Sequence, residues 1–169
     1  MKPRYSLLLL DFDGTLCASR PAIEHCMTRV LERSIGIVPS TAKILSTISA
    51  GLGLEDSLRF LASKEIACRP ELLARMVEEY RALYVIEGEE LTGMYAGWKS
   101  ALKEFQKLNI RTAIVSNKSS AAIDTTIGRC GFGQWISYVI GQAPGTPRKP
   151  DPRLYDEFIV PKFPDLEKS

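Results

Sequence analysis

The stretch Leu7-Leu8-Leu9-Leu10-Asp11-Phe12-Asp13-Gly14-Thr15-Leu16 sets the tightest limit on what this chain can fold into. Four consecutive leucines predict a strand covered on both faces, as the strands of parallel sheets are. The run ends at once in two acids and a glycine. In an open parallel sheet, ligands bind beyond the carboxyl ends of the strands. A leucine strand ending in Asp11 and Asp13 therefore delivers two carboxylates to that rim. Gly14 lets the chain turn sharply and come close to a ligand.

The rest of the sequence supplies the sheet. "RTAIVS" (111–116) is a second apolar, β-branched run, and "WISYVIG" (135–141) is a third. Trp98, Leu102 and Phe105 space a helix before the second run. Ile123, Ile127 and Cys130 space another before the third. Strand–helix–strand alternation with short connections implies right-handed parallel crossovers. Between the first strand and this alternation lies a different kind of sequence. Ser19-Arg20-Pro21 marks a helix start, followed by Ile23, Met27, Val30 and Leu31 on one face. Gly36 and Pro39 break that helix. A short helix spans Leu54 to Leu61, and Pro70 opens another with Leu73, Met76, Val77, Tyr80 and Tyr84 on one face. The expected fold class is α/β, a Rossmann-like parallel sheet with an all-α insertion. Residues 1–18 and 92–169 form the α/β core and residues 19–91 the insertion.

Ser116 and Asn117 end the second strand, so they meet Asp11 and Asp13 at the rim. They also stand where a cap would precede a helix over Lys118 to Cys130, and capping is compatible with phosphate binding at a helix N-terminus. Lys149 follows the third strand after a loop holding Gly141, Pro144, Gly145 and Pro147, which can return it to the same rim. Two acids, a hydroxyl, an amide and a lysine suit phosphoryl transfer. A carboxylate can attack phosphorus and form an aspartyl-phosphate. A second carboxyl can protonate the leaving group and then activate water. A hydroxyl, backbone N–H groups and a lysine can hold the phosphoryl oxygens. A hard cation such as Mg²⁺ would screen the carboxylate from the phosphate.

These residues carry a resemblance. "DFDGTL" resembles the first motif of the haloacid dehalogenase-like (HAD) hydrolases in its phosphatase form. "VSNK" is similar to their second motif, and "RKPDPRLY" to the segment around their third-motif lysine. The resemblance covers nearly the whole chain, and the insertion resembles the family's helical cap of the first type. Phosphoglycolate-phosphatase-like members are the most similar. The resemblance implies Asp11 as nucleophile, Asp13 as general acid and base, Ser116 and Lys149 as phosphoryl ligands, and Asn117 beside them. It implies Mg²⁺ held by Asp11 and the backbone carbonyl of Asp13. An aspartate at position 13 points to a phosphatase, because the dehalogenases of the family lack that acid.

One expected feature is absent. The family's fourth motif is a further apolar strand ending in Gly-Asp, and it completes the metal site. After Lys149 the sequence runs "PDPRLYDEFIVPKFPDLEKS". This reads as a core truncated before the fourth-motif strand. That strand normally lies beside the first one, so the leucine strand would have an unpaired apolar edge that invites self-association. Asp151, Asp156 and Asp165 are the acids left to replace the missing one. Two readings therefore stand: a Mg²⁺-dependent phosphatase of a small phosphorylated metabolite, or an impaired phosphate- or partner-binding module of the same fold.

Other classes fit less well. A net charge of +2 argues for neither nucleic acid nor an anionic membrane. No apolar run approaches the roughly 20 residues of a membrane span, and the N-terminal run is too short for a signal-peptide core. The expected setting is the cytoplasm. Cys17, Cys26, Cys68 and Cys130 are scattered without a C-x-x-C pair, which indicates neither zinc nor a disulfide framework. Cys17 sits close enough to the acids to line a pocket. His25 lies on a helix with no partner visible in the sequence, and Trp98 and Trp135 read as core.

Overall fold

The computed structural model describes residues 5–165, and these divide into two compact units. One comprises the chain up to Ala18 together with Met94 onward; the other is Ser19–Gly93.

The first unit is built on a parallel sheet of three strands, β1 (Leu7–Leu10), β4 (Arg111–Ser119) and β5 (Tyr138–Gln142), in the order β1-β4-β5. Leu7 to Leu10 pair in register with Arg111 to Ile114. Ala113 to Val115 pair with Tyr138 to Ile140, and the register then shifts between Val115 and Ser119. Two-residue strands, β2 (Cys17–Ala18) and β3 (Gly93–Met94), form a separate small sheet.

Alternation along β4 separates two apolar cores. Ile114 joins Phe12, Leu16, Leu102, Ile123 and Phe132 on the face covered by α6 (Trp98–Lys107) and α7 (Ser120–Cys130). Its neighbour Ala113 joins Ile140, Leu154, Ile159 and Phe163 on the opposite face. The most buried strand is therefore β4, which has a neighbour on each side and buries Thr112, Ala113, Ile114 and Ser116. The expectation that β1 is covered on both faces is corrected. Among the described residues β1 pairs with β4 alone, and Leu9 is 45% exposed.

The second unit is helical, as the apolar periodicity predicts. It contains α1 (Arg20–Ile35), α2 (Thr41–Ser49), α3 (Leu54–Leu61), α4 (Ser63–Cys68) and α5 (Glu71–Leu83), followed by a π-helical turn over Tyr84–Gly88. Helix α1 begins beside Pro21 in its first turn and ends at Gly36, whose φ of 69° closes the last turn. Val30, Leu31, Ile44, Leu58, Met76 and Tyr80 are among the side chains buried in its core. Ser40 accepts a hydrogen bond from the Lys43 N–H and so caps α2, a helix the sequence pattern did not single out.

Candidate active site

The site is built at the carboxyl end of β1. Phe12 is fully buried in the α6/α7 core, while its neighbours Asp11 and Asp13 are partly exposed. Beyond the end of β1 at Leu10, the chain anchors Phe12 in that core and leaves the residues on either side of it accessible. The chain then closes tightly. The Phe12 carbonyl accepts from the N–H groups of Leu16 and Cys17 at 3.1 and 3.0 Å, and Gly14 N–H donates to Cys17 O at 2.8 Å. Gly14 has a φ of 78°, a conformation that a side chain penalises. Trp98 Nε1 donates to Thr15 O at 2.7 Å and pins the turn to the start of α6.

Three further segments reach this turn. Lys149 Nζ donates to Asp11 Oδ1 at 2.5 Å, across 138 positions of sequence. Asn117 holds the backbone of Lys149 from both sides. Its Oδ1 accepts from Lys149 N–H at 2.8 Å, and its Nδ2 donates to Lys149 O at 3.2 Å. Ser116 is buried, and its Oγ accepts from the Lys118 N–H at 3.2 Å. Lys118 Nζ in turn donates to Asp13 Oδ1 at 3.2 Å. The five sequence-predicted residues thus fall into two hydrogen-bonded groups, Asp11 with Lys149 and Asn117, and Asp13 with Lys118 and Ser116, which meet where Ser116 and Asn117 are neighbours in the chain.

Lys118 was missed by the sequence reading, although it directly follows Ser116 and Asn117. Its signal was its place in the second motif, taken there as the first residue of a helix. The helix in fact begins two residues later, and Ser119 is its cap, its Oγ accepting from the Ala122 N–H at 3.4 Å. The register shift after Val115 keeps Ser116 to Ser119 extended, so Lys118 presents its side chain to Asp13 rather than to a helical turn. Gly141 permits this arrangement. A Cβ there would lie 2.7 Å from the Ser120 backbone, so only glycine lets β5 pass the start of α7.

Two of the three acids named as replacements for the missing one are engaged elsewhere. Asp165 Oδ1 accepts from Arg111 at 2.8 Å, and Asp151 is bound by Arg153 at 2.7 Å. In each case the hydrogen-bonded arginine holds the carboxyl below the usual range. Asp156 is exposed. Cys17 is fully buried, and burial pushes its thiol up to about 12, with Cys130 and Asp13 adding to the effect. It is an apolar wall behind the turn, not a nucleophile. In the helical unit, His25 does have a partner: Nε2 lies 2.5 Å from Glu87 Oε2, and this hydrogen bond lowers the Glu87 pKa. Trp98 and Trp135 pack against the α6/α7 core as expected.

Among the described residues no three His, Cys, Asp or Glu side chains are grouped as a metal site. Mg²⁺, however, is commonly held by one or two carboxylates, with substrate phosphates and water completing its shell. Asp11 and Asp13, hard oxygen donors two residues apart and partly exposed, fit that mode.

A parallel α/β sheet thus carries an acid pair at the end of its first strand, answered by a Ser-Asn-Lys segment and a distant lysine. Comparison with known proteins makes this specific: residues 8–162 match the family model of haloacid dehalogenase-like hydrolases, and the chain belongs to that family. The phosphoglycolate phosphatase of Photobacterium profundum is 30% identical over 149 residues, covering 86% of this chain and 64% of that protein. The phosphoglycolate phosphatase of Vibrio cholerae is 27% identical over 150 residues, covering 86% and 66%. The chain thus spans just under two thirds of the length of these curated relatives. A haloacid dehalogenase-like hydrolase of Bacteroides fragilis superposes with a TM-score of 0.79 at 28% identity, over 91% of this chain and 73% of that one. A predicted phosphoglycolate phosphatase of Haemophilus somnus gives 0.81 at 20% identity, over 96% and 73%, a likeness of fold. No helix among the described residues is long and apolar enough to cross a membrane.

Proposed function

We propose that this chain is a phosphatase that hydrolyses a small phosphomonoester through an aspartyl-phosphate. The observation that carries the reading is the Asp11–Lys149 pair, 2.5 Å apart and open to solvent, with side chains 40% and 36% exposed. It offers a nucleophilic carboxylate beside a cation that a phosphoryl group can take as its own partner.

In the first step an Asp11 oxygen attacks phosphorus, and the bond to the leaving oxygen breaks. Asp13 gives that oxygen a proton as it departs. In the second step Asp13 takes a proton from water. The hydroxide attacks the acyl phosphate, releases inorganic phosphate and restores the Asp11 carboxylate. Lys149 and Ser116 hold the phosphoryl oxygens as charge moves among them. Asn117 fixes the Lys149 backbone. Asp11 and the Asp13 carbonyl would hold Mg²⁺, which supplies charge screening between the nucleophile and the phosphate. The likeness to phosphoglycolate phosphatases supports a small phosphorylated carboxylic acid as substrate, and the scattered cysteines support a cytoplasmic setting.

The test is phosphate release from an aryl phosphate with and without Mg²⁺, by the wild-type chain and by Asp11→Asn. Turnover that needs both the metal and Asp11 is the expected result. Turnover that survives Asp11→Asn would refute the covalent mechanism. A folded wild-type chain that binds phosphate without hydrolysis would favour the binding-module reading.

A further inference from the structure

The two lysines of the site sit in unlike surroundings. The Lys149–Asp11 pair is open, with more than a third of each side chain exposed. The Lys118–Asp13 pair is enclosed. Only 9% of the Lys118 side chain is exposed, against 25% for Asp13. The ammonium also lies 5.9 Å from the centre of the buried Phe12 ring. A nearly buried ammonium needs a charge partner, and it cannot leave one without a large desolvation cost. Its backbone is held too, because Lys118 N–H donates to the Ser116 Oγ inside the irregular end of β4. A phosphoryl group arriving at Asp11 can draw Lys149 to itself. Lys118 stays with Asp13.

We propose that Lys118 is the positioning residue for Asp13, holding its carboxyl in the orientation from which it passes a proton to the leaving oxygen. The inference rests on the phosphatase reading above. In this role Lys118 acts through the Asp13 carboxyl and not on the phosphoryl group or the leaving group. When the P–O bond breaks, the electron pair goes to the leaving oxygen and the proton moves to it from Asp13. The Asp13 carboxylate is then left facing the ammonium, oriented for the water of the second step. Sequence adjacency serves this arrangement. Ser116 and Lys118, two apart in an extended segment, supply the phosphoryl side and the proton-transfer side of one site.

The leaving group gives a readout that a purely structural lysine would not move. An aliphatic alkoxide departs poorly without a proton, whereas 4-nitrophenolate departs well without one. The experiment compares kcat/KM, which reports phosphoenzyme formation, for an aliphatic phosphomonoester and for 4-nitrophenyl phosphate. The proteins are wild type, Lys118→Met and Lys118→Arg. General acid catalysis contributes roughly 10²–10⁴-fold, so Lys118→Met should lose about tenfold or more on the aliphatic ester and less than about threefold on the aryl ester. Lys118→Arg should recover most of the loss. In an Asp13→Asn background, Lys118→Met should change little further. Equal losses on both esters, or none on either, would overturn the proposal while leaving the phosphatase reading intact. A wild type that hydrolyses neither ester would overturn both. If Lys118→Met does not fold, Lys118→Gln carries the same comparison.

Discussion

Replacing Asn117 by alanine tests how the site holds its distant lysine. Asn117 spends its whole amide on the Lys149 backbone, accepting from N–H at 2.8 Å and donating to C=O at 3.2 Å. Each such bond contributes about 0.5–1.5 kcal/mol net, so Asn117→Ala should cost about 1–3 kcal/mol. With a urea m value of about 2 kcal/mol/M, the midpoint should fall by roughly 0.5–1.5 M. Both tryptophans, Trp98 and Trp135, lie in the α/β unit, so their fluorescence reports the unfolding of that unit. The same variant should weaken inorganic phosphate binding by about tenfold, since a loss of about 1.4 kcal/mol corresponds to that factor. Lys149→Ala is the control: it removes the ammonium but leaves both backbone bonds to Asn117. It should weaken phosphate binding more than Asn117→Ala does, to a level still measurable at high phosphate, with a stability change inside the surface range of about 0.5 kcal/mol. In the double variant the two phosphate effects should not add, because Asn117 acts only through Lys149. A midpoint for Asn117→Ala that stays within the surface range would refute the idea that this amide anchors the Lys149 loop. So would additive losses in phosphate binding.

Two other residues around the turn give separate expectations. The Cys17 thiol titrates near 9.0 when unfolded and about 12 when folded, so above pH 9 the unfolded chain holds fewer protons than the folded one. Its contribution to stability is complete below that pH and is lost as pH rises toward 12; Cys17→Ala should flatten the decline in melting temperature over this window, and an unchanged slope would count against burial of the thiol. Trp98→Phe removes the 2.7 Å bond to Thr15 O and should cost about 1 kcal/mol, read from the urea midpoint through Trp135 fluorescence. No shift would mean that the turn after Asp13 holds itself.

Much of this protein is legible in its residues because the signals are local. The leucine run, "RTAIVS" and "WISYVIG" each carry a strand pattern, although the third strand starts only at Tyr138, and the stripes over residues 20–35, 54–61 and 71–83 carry a helical one. "DFDGTL" after the leucine run places two acids and a turn glycine at a strand end. Where neighbouring elements decide the outcome, the residues alone mislead. Leucines suggest the buried strand, yet burial goes to β4, because a strand's cover depends on which elements flank it. Lys118 reads as the start of a helix, but Ser119 offers its own cap and the Ser116–Ser119 segment stays extended. His25 gains Glu87 from 62 positions away.

The sequence by itself determined the sheet-and-helix alternation and the helical unit, and it named the residues of the candidate site, because periodicity and turn chemistry act over a few residues. Only the tertiary structure decided which lysine answers which acid. Lys149 meets Asp11 across 138 positions, and Lys118 meets Asp13 across 105. Pairing at such range follows from strand order, crossover connection and the irregular end of β4. Those set the distance between charges, and at short range in a half-buried site distance and burial decide the strength of each pair.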